Sequence, residues 1–494
     1  MSRASRHVPR HSALARSASL GWLVAVAAAW IAASGGCSKG AEPPPADAPD
    51  ADADAGPAGW APGKILAPIA EGPRGLRNLR GNIHAHSVHS HDACDGQPRD
   101  DAGALNTVCL DDFRKALCTS RHDFVMLTDH PTLFADTEFP EALLYRAERG
   151  DRLITRGGAP VANWAGCEGG RRPVLLLAGT EGGTMPVGLE GHVSPDRAER
   201  GRVYGDKTAE AVLAQKAKGA VSLLQHTENW TADQLATLPI DGFEMYNVHA
   251  NLMRNPDIAI EMIFRLGGGR DDLPHPDLFI LPIVREDPRY LDTWGSVLAR
   301  GVRRVTVMGS DCHRNTFPAL LSDGERIDSY RRMMGWFSNH LLIRPAADGS
   351  YTDVELKEAL RSGRLWGAYE YLGYPVGFDF HALEAGTIRE MGDEATLAKG
   401  AVELVATMPS LAELDPTVPA PRLTLRLLRA REGGWDTVKD ATESMRVKVD
   451  APGAYRVEVR LVPRHLQRYL GRDAEKLANE ERVWIYSNPL YVRP

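Results

Sequence analysis

Cysteine is scarce in this chain, with six among 494 residues, and no CxxC pair or Cys/His zinc-finger spacing occurs among them. That excludes a structural zinc finger. A basic surplus is missing too: 58 Lys and Arg stand against 65 Asp and Glu. A general nucleic-acid binder usually shows a basic face, so no nucleic-acid partner is expected. The glycines form no phosphate loop, because Gly267-Gly-Gly269 is not followed by Gly-Lys-Ser/Thr. No Gly-x-Ser-x-Gly elbow occurs, so a serine-hydrolase reading lacks its nucleophile. The apolar run from Leu20 to Ala33 is too short to read as a membrane span.

That run instead belongs to a targeting segment over residues 1–36. Arg3, Arg6, Arg10 and Arg16 form a basic start without acids, and the run ends at Ser34-Gly-Gly-Cys37. Small residues before a cysteine resemble a bacterial lipoprotein signal, with Ser34 where Leu is usual. Cys37 is then the lipid attachment site, and the chain is expected to be exported and anchored to the cell envelope through lipid rather than a helix. Ser38 in place of Asp favours the outer over the inner membrane. Residues 37–62 follow as a Pro/Ala/Asp tether with too few large apolar side chains to offset the entropy of ordering. What remains exceeds one typical domain, so two are expected. Export places Cys94, Cys109, Cys118, Cys167 and Cys312 in an oxidising compartment. The first four suit two disulfides of unreadable connectivity, leaving Cys312 unpaired and buried beside the site.

Apolar runs predict strands at Leu79–His84, Phe124–Thr128, Val174–Ala178, Ala220–Gln225, Gly242–Tyr246, Leu278–Val284 and Arg304–Met308. Helices are predicted at Cys109–Thr119, Ala209–Lys218, Thr231–Leu238, Asn255–Leu266 and Thr293–Arg300. Strand alternating with helix argues a parallel sheet, and seven strands suffice for a distorted barrel. Residues 131–172 read as an irregular insertion, either a lid over the site or a surface elaboration held by Cys167. From residue 376 onward the pattern turns short and alternating, as in Met445-Arg-Val-Lys-Val449 and Tyr455-Arg-Val-Glu-Val-Arg-Leu461. Period-two runs between turns indicate an antiparallel sandwich without a ligand cluster.

The chemistry lies at the strand ends. His84/His86, Asp129/His130, Glu181, His226 and Asp311/His313 each stand at or just past the C-terminal end of a predicted strand, the face that builds active sites in barrels. Imidazole and carboxylate are the donors that Zn, Mn and Fe prefer. A strand puts i and i+2 on one face, so His84 and His86 can reach one ion, as can Asp311 and His313. Asp129 is expected to orient a ligand or hold the turn. Glu244 and Asn247 either line the pocket or tie loops together. His89 is expected to face solvent, and His249, His275 and His340 have no motif context and read as structural or exposed.

In order, these motifs resemble the PHP (polymerase and histidinol phosphatase) family of metal-dependent hydrolases over about residues 78–375. The opening Gly81-Asn-Ile-His-Ala-His86 and the closing Ser487-Asn-Pro-Leu-Tyr-Val492 are similar to its carbaryl-hydrolase-like branch. The resemblance implies an α/β fold: a PHP-type distorted (β/α)7 barrel at 63–375, followed by a C-terminal antiparallel β-sandwich-like domain at 376–494. It also implies two or three divalent metal ions (Zn, Mn or Fe). His84, His86, Glu181 and Asp311 would hold one. His130, His313 and either His91 or Asp92 would hold a second, with His91 preferred. Glu181 would bridge to a third with His192 and His226. Asp311, His313 and Glu181 carry the catalytic expectation. The implied activity is hydrolysis of a small-molecule phosphoester by a metal-bound hydroxide; the alternatives are a carboxylic ester, carbamate or amide, or a non-enzymatic surface-binding protein. Oligomeric state is left open.

Overall fold

The structure is a computed structural model that describes residues 59–66, 72–257, 260, 266, 272–282 and 284–494. The targeting segment, Cys37 and nearly all of the tether lie outside these residues, as does most of the expected helix Asn255–Leu266.

Among the described residues, eleven strands precede residue 370: β1 Arg77–Ala85, β2 Phe124–Leu127, β3 Arg152–Arg156, β4 Ala159–Ala165, β5 Val174–Gly179, β6 Met185–Leu189, β7 Val221–Leu223, β8 Gly242–Asn247, β9 Val305–Gly309, β10 Ser338–Ile343 and β11 Leu365–Ala368. β1 pairs parallel with β2, and β2 pairs parallel with β5. β10 runs antiparallel on the other side of β1. β5 continues antiparallel to β6, and β6 to β7, while β8 and β9 form a parallel pair of their own. The expected closed seven-stranded barrel therefore does not form as one continuous ladder. A few backbone bonds span the gaps instead. The Leu224 amide donates to Gly242 at 3.1 Å and the Glu244 amide to Leu224 at 2.9 Å; at the other edge the Asp311 amide donates to His84 at 3.1 Å and the His86 amide to Cys312 at 3.0 Å.

Side-chain amides support β9 further. Asn339 and Asn488 each exchange two hydrogen bonds with its backbone, at Met308 and Thr306 respectively, with distances of 2.8–2.9 Å. The Ser487-Asn-Pro-Leu segment thus braces the strand that leads into Asp311.

β1 shows why the polar end is buried. Leu79 and Ile83 pack with Phe124, Leu175 and Leu341 in one apolar cluster. The alternate positions Arg80, Asn82 and His84 are also buried but polar. The helix Asp353–Ser362 lies over β10, started by a capping box of Thr352 with Glu355 and ended by Gly363 at φ 80°.

The insertion is ordered structure. Gly157-Gly158 turn β3 back onto β4, and β4 pairs antiparallel with β5, so the segment extends the sheet edge. The expected strand Leu278–Val284 is absent: Pro276–Leu278 is a 3-10 turn and Phe279–Pro282 are turns. Prolines at 276 and 282 cannot donate to a ladder.

The C-terminal part is antiparallel. Gly434–Ala441, Arg422–Arg431, Gly453–Val462 and Arg482–Ser487 pair in that spatial order, and β11 joins Arg482–Ser487 through Trp366↔Ser487 and Ala368↔Ile485. A separate antiparallel sheet holds Asp379–Glu384, Thr387–Glu390, Val402–Thr407 and Met445–Val449. Phe380, Leu404 and Met445 share one apolar cluster with Leu427, Val457 and Ile485, so the two arrays face a common core.

Candidate metal centre

Two groups of side chains converge where β1, β2, β5 and β9 end. His84, His86, Glu181 and Asp311 form the first; Asp92, His130 and His313, with His86 alongside, form the second. One imidazole nitrogen serves one ion, so His86 counts once. In the first group His84 Nε2 stands 3.1 Å from His86 Nε2 and 3.2 Å from both Glu181 Oε2 and Asp311 Oδ1. In the second, Asp92 Oδ2 is 3.2 Å from the Nε2 atoms of both His130 and His313. Donors about 2.1 Å from a tetrahedral ion would stand ~3.4 Å apart, so these spacings fit a divalent cation. Asp311 Oδ1 and His313 Nε2 are buried without a hydrogen-bond partner, which is costly unless something else meets them.

The tautomers are set from outside. His130 Nδ1 lies 2.9 Å from the Glu181 carbonyl, and His313 Nδ1 lies 2.8 Å from the Asp311 carbonyl. A carbonyl only accepts, so each ring donates from Nδ1 and turns Nε2 inward. His84 Nδ1 meets Glu244 Oε1 at 2.6 Å. His86 Nδ1 meets Ser90 Oγ at 3.0 Å, and that hydroxyl donates to Asp92 Oδ1 at 2.8 Å, leaving it to accept from His86. Carboxylate or carbonyl partners of this kind orient the imidazoles of metal sites. Glu244 reaches His84 because residue 309 is glycine; a Cβ there would overlap Glu244 Oε1. Asn247 donates to Glu244 Oε2 at 3.0 Å, and Asp129 accepts from the amide and hydroxyl of Ser87. Both tie loops around the centre.

Charge is unbalanced here. Burial opposes protonation of His84, yet Asp311, Glu244 and Glu181 hold its pKa well above the ordinary value. Burial works likewise on His130, but Asp92 and Glu181 raise it to about 9. Burial and the neighbouring His313 hold His86 below its usual value. Glu181 and Asp311 stay well below the carboxylate range despite burial, chiefly through His84. The backbone is strained beside them: Asp311 at φ 53° and His226 at φ 50° occupy the left-handed region.

Several expectations need correction. Asp92, not His91, enters the second group; the exposed His91 only brings its ring within 5.0 Å of the His130 ring. His192 joins neither group. Its Nε2 meets the Thr137 carbonyl at 2.8 Å and its Nδ1 the Tyr204 hydroxyl at 3.1 Å, with Phe134 and Phe139 against its ring. His89 is fully buried, with Nε2 3.3 Å from Glu141 of the insertion. His226 does reach the centre, its Nε2 2.9 Å from Glu181 Oε1. His249, read as having no role, places Nδ1 3.2 Å from Asp311 Oδ2 and belongs to a third group with Asp311 and His313. Its signal was position: it follows β8 as His226 follows β7.

Disulfides Cys94–Cys109 and Cys118–Cys167 pin the Asp92 loop and the insertion to the helix Thr107–Thr119. Cys312 is free and buried, and burial pushes its thiol up to about 12.

No protein-family model matches the chain, and no curated protein matches it. A solved structure it is similar to is a two-domain protein from Bacteroides vulgatus, described as containing a predicted PHP-like metal-dependent phosphoesterase. The identity is 12% over 88% of this chain and 100% of that chain, with a TM-score of 0.29.

Proposed function

We propose that the protein is a metal-dependent hydrolase of the PHP type that cleaves a phosphoester. The observation that carries this is the set of four imidazoles, each tethered at Nδ1 and each turning Nε2 toward Asp92, Glu181 or Asp311. Divalent cations held there supply Lewis acidity, the chemistry that activates water and stabilises developing negative charge in hydrolysis. Glu181 and Asp311 each turn one oxygen toward His84 and the other toward His226, and would serve as carboxylate ligands. Asp92 draws His130 and His313 into register. Ser90 links His86 to Asp92, so the two groups share one hydroxyl. Export and lipid attachment at Cys37 form part of the same proposal, supported by the two disulfides.

A specific observation favours hydrolysis of a carboxylic ester, carbamate or amide as the second reading. His249 shares the wall of an apolar cavity with Val248, Leu252, Phe317, Met333 and Trp336. Nearby guanidinium groups are engaged: Arg314 Nε lies 3.2 Å from Asp112, and Arg254 donates to Asp287 at 2.9 Å. Turnover of an aryl phosphate and an aryl carbamate with matched leaving groups, with and without EDTA, tests both. Metal-dependent cleavage of the phosphate is expected; cleavage of the carbamate alone selects the second reading, and cleavage of neither overturns both.

A further inference from the structure

The end of β9 away from the metal centre gathers positive charge. An open cavity of about 230 Å³ lies there, with Asp241, Arg303, Arg304, Arg361, Asn488 and Tyr491 in its lining. That is several times the ~30 Å³ share of a water molecule in the liquid. Carbonyl oxygens hold each of the three arginines. Arg303 Nη2 donates to Gly392, and its guanidinium lies over the Tyr491 ring, 5.7 Å from the centroid. Arg304 donates to Leu235 at 2.9 Å, Ala236 at 2.7 Å and Leu238 at 2.9 Å, closing the end of the helix Ala232–Thr237. Arg361 donates to Gly219 at 2.6 Å and Ala220 at 3.2 Å. Carbonyls fix these groups without neutralising them. Among the described residues, none of the three has a carboxylate within ion-pair distance. Asp241, the acid in the lining, is engaged elsewhere: it accepts from Lys216 Nζ at 2.7 Å and from the Ser222 amide at 2.8 Å. Burial holds the Arg304 pKa below its ordinary value, with only partial relief from Tyr491 and Asp241. At Arg74 burial acts in the same sense, but Glu390 and Asp379 outweigh it.

We propose that this cavity binds a small oxyanion of the phosphate class, free phosphate or the terminal group of a phosphomonoester, at a site separate from the metal centre. Three guanidinium groups against one carboxylate leave a surplus of two positive charges in the lining, which matches a dianion. The planar fork of guanidinium presents paired N–H donors to phosphate oxygens. Arg303 and Arg361 are exposed, and each keeps donors beyond those spent on carbonyls. The five residues of β9 separate the cavity from Asp311 by roughly 16 Å, too far for one small anion to touch both. Asn488 lines the cavity and braces β9 at Thr306, so the site adjoins a support of the strand that leads into Asp311. Nothing at this end of β9 depends on the hydrolase reading.

Calorimetric titration of the full-length protein at fixed ionic strength tests this, with inorganic phosphate and glycerol phosphate as separate titrants. The His84→Ala/Asp311→Ala variant, with its metal centre disabled, is expected to bind one equivalent, and the tighter titrant identifies the source. Adding Arg303→Gln and Arg361→Gln to that variant is expected to weaken binding at least about tenfold, as loss of charge-assisted hydrogen bonds does. Binding of neither titrant by the first variant, or equal affinity in the second, overturns the oxyanion site and leaves the hydrolase reading intact. Absence of metal-dependent turnover in the wild type overturns the hydrolase reading and leaves this site intact. Should the His84→Ala/Asp311→Ala variant not fold, hydrogen exchange of the wild type serves instead. Saturating phosphate is then expected to slow exchange in peptides covering residues 301–306 and 488–492. Protection missing from both, or confined to residues 84–92 and 309–313, overturns the inference.

Discussion

The two ends of β1 bury polar side chains on one face and treat them differently. Toward the start, Arg80 is complete: its Nε and Nη2 donate to Glu370 at 2.6 and 2.7 Å, its Nη1 to the Ser120 carbonyl at 2.8 Å, and His340 stacks on Trp366 beside Glu370. Burial and the nearby Arg80 keep His122 neutral there. Toward the end, His84 and His86 turn their Nε2 atoms toward Glu181 and Asp311 at 3.2–3.3 Å. One end balances a fixed cation, Arg80, with a fixed anion, Glu370, although both nitrogens of the buried His122 there lack a hydrogen-bond partner. The other gathers imidazoles and carboxylates whose donor atoms lie close enough to hold a metal ion, the arrangement on which the proposed function rests. Burial of a polar cluster is therefore uninformative about function until its donors and acceptors are counted.

The strongest way to break this comparison is at the open end. His84→Ala/Asp311→Ala is expected to lower metal-dependent turnover on the order of 10^4-fold, or about 5 kcal/mol of transition-state stabilisation, with the cation content falling as well. Undiminished turnover would refute the proposed chemistry. At the closed end Arg80→Ala strands a buried carboxylate and should cost about 3–5 kcal/mol in denaturant unfolding, with cation content unchanged. The same pair predicts a pH signature. Burial raises the Glu370 pKa, but Arg80 and His340 overcome it and hold the group at about 2, against 4.5 for a free side chain. Its contribution is full above pH 4.5 and is lost as pH falls toward 2, so Glu370→Gln should flatten the acid limb of the stability curve. An unaltered limb would show that the pair carries little of it. Next in size, Cys94→Ser/Cys109→Ser opens a 15-residue separation and should cost roughly 3 kcal/mol. Because Asp92 lies two residues before Cys94, the second group should also bind its cation less tightly, which calorimetric titration would reveal. The smallest effect sharpens the comparison: Glu244→Gln loosens the orientation of His84 and is expected to weaken cation binding about 10- to 100-fold while the fold persists. Equal affinities in variant and wild type would make Glu244 a loop tie only.

Much of this was legible in the chain. The apolar runs at Phe124–Leu127 and Val174–Gly179 became buried parallel strands, and placing donors just past strand ends located His84, His86, Glu181, His226, Asp311 and His313 where they converge. The same rule reaches His249, which was passed over for want of a surrounding motif. It does not separate His91 from Asp92, since adjacent residues on a loop differ only in direction, and direction here is set by Ser90. His192 looked equivalent to its neighbours because Thr137 and Tyr204, the groups that hold it, are distant in sequence. β10 was missed because Ser338, Asn339 and His340 make up half of it and break the apolar run, and β11 because Leu365–Ala368 is only four residues long. The antiparallel hairpin of β3 and β4 carried a readable Gly157-Gly158 turn inside what looked like irregular insertion.

Asp311 holds a backbone conformation that most side chains avoid, and asparagine is among the few that tolerate it. Asn differs from Asp by one base in the codon. A single mutation could therefore keep the turn, the strand and the bracing Asn488 while removing the charge that His84 and His86 face. An intact strand-end pattern in a relative therefore says little about the proposed metal binding until residue 311 has been read.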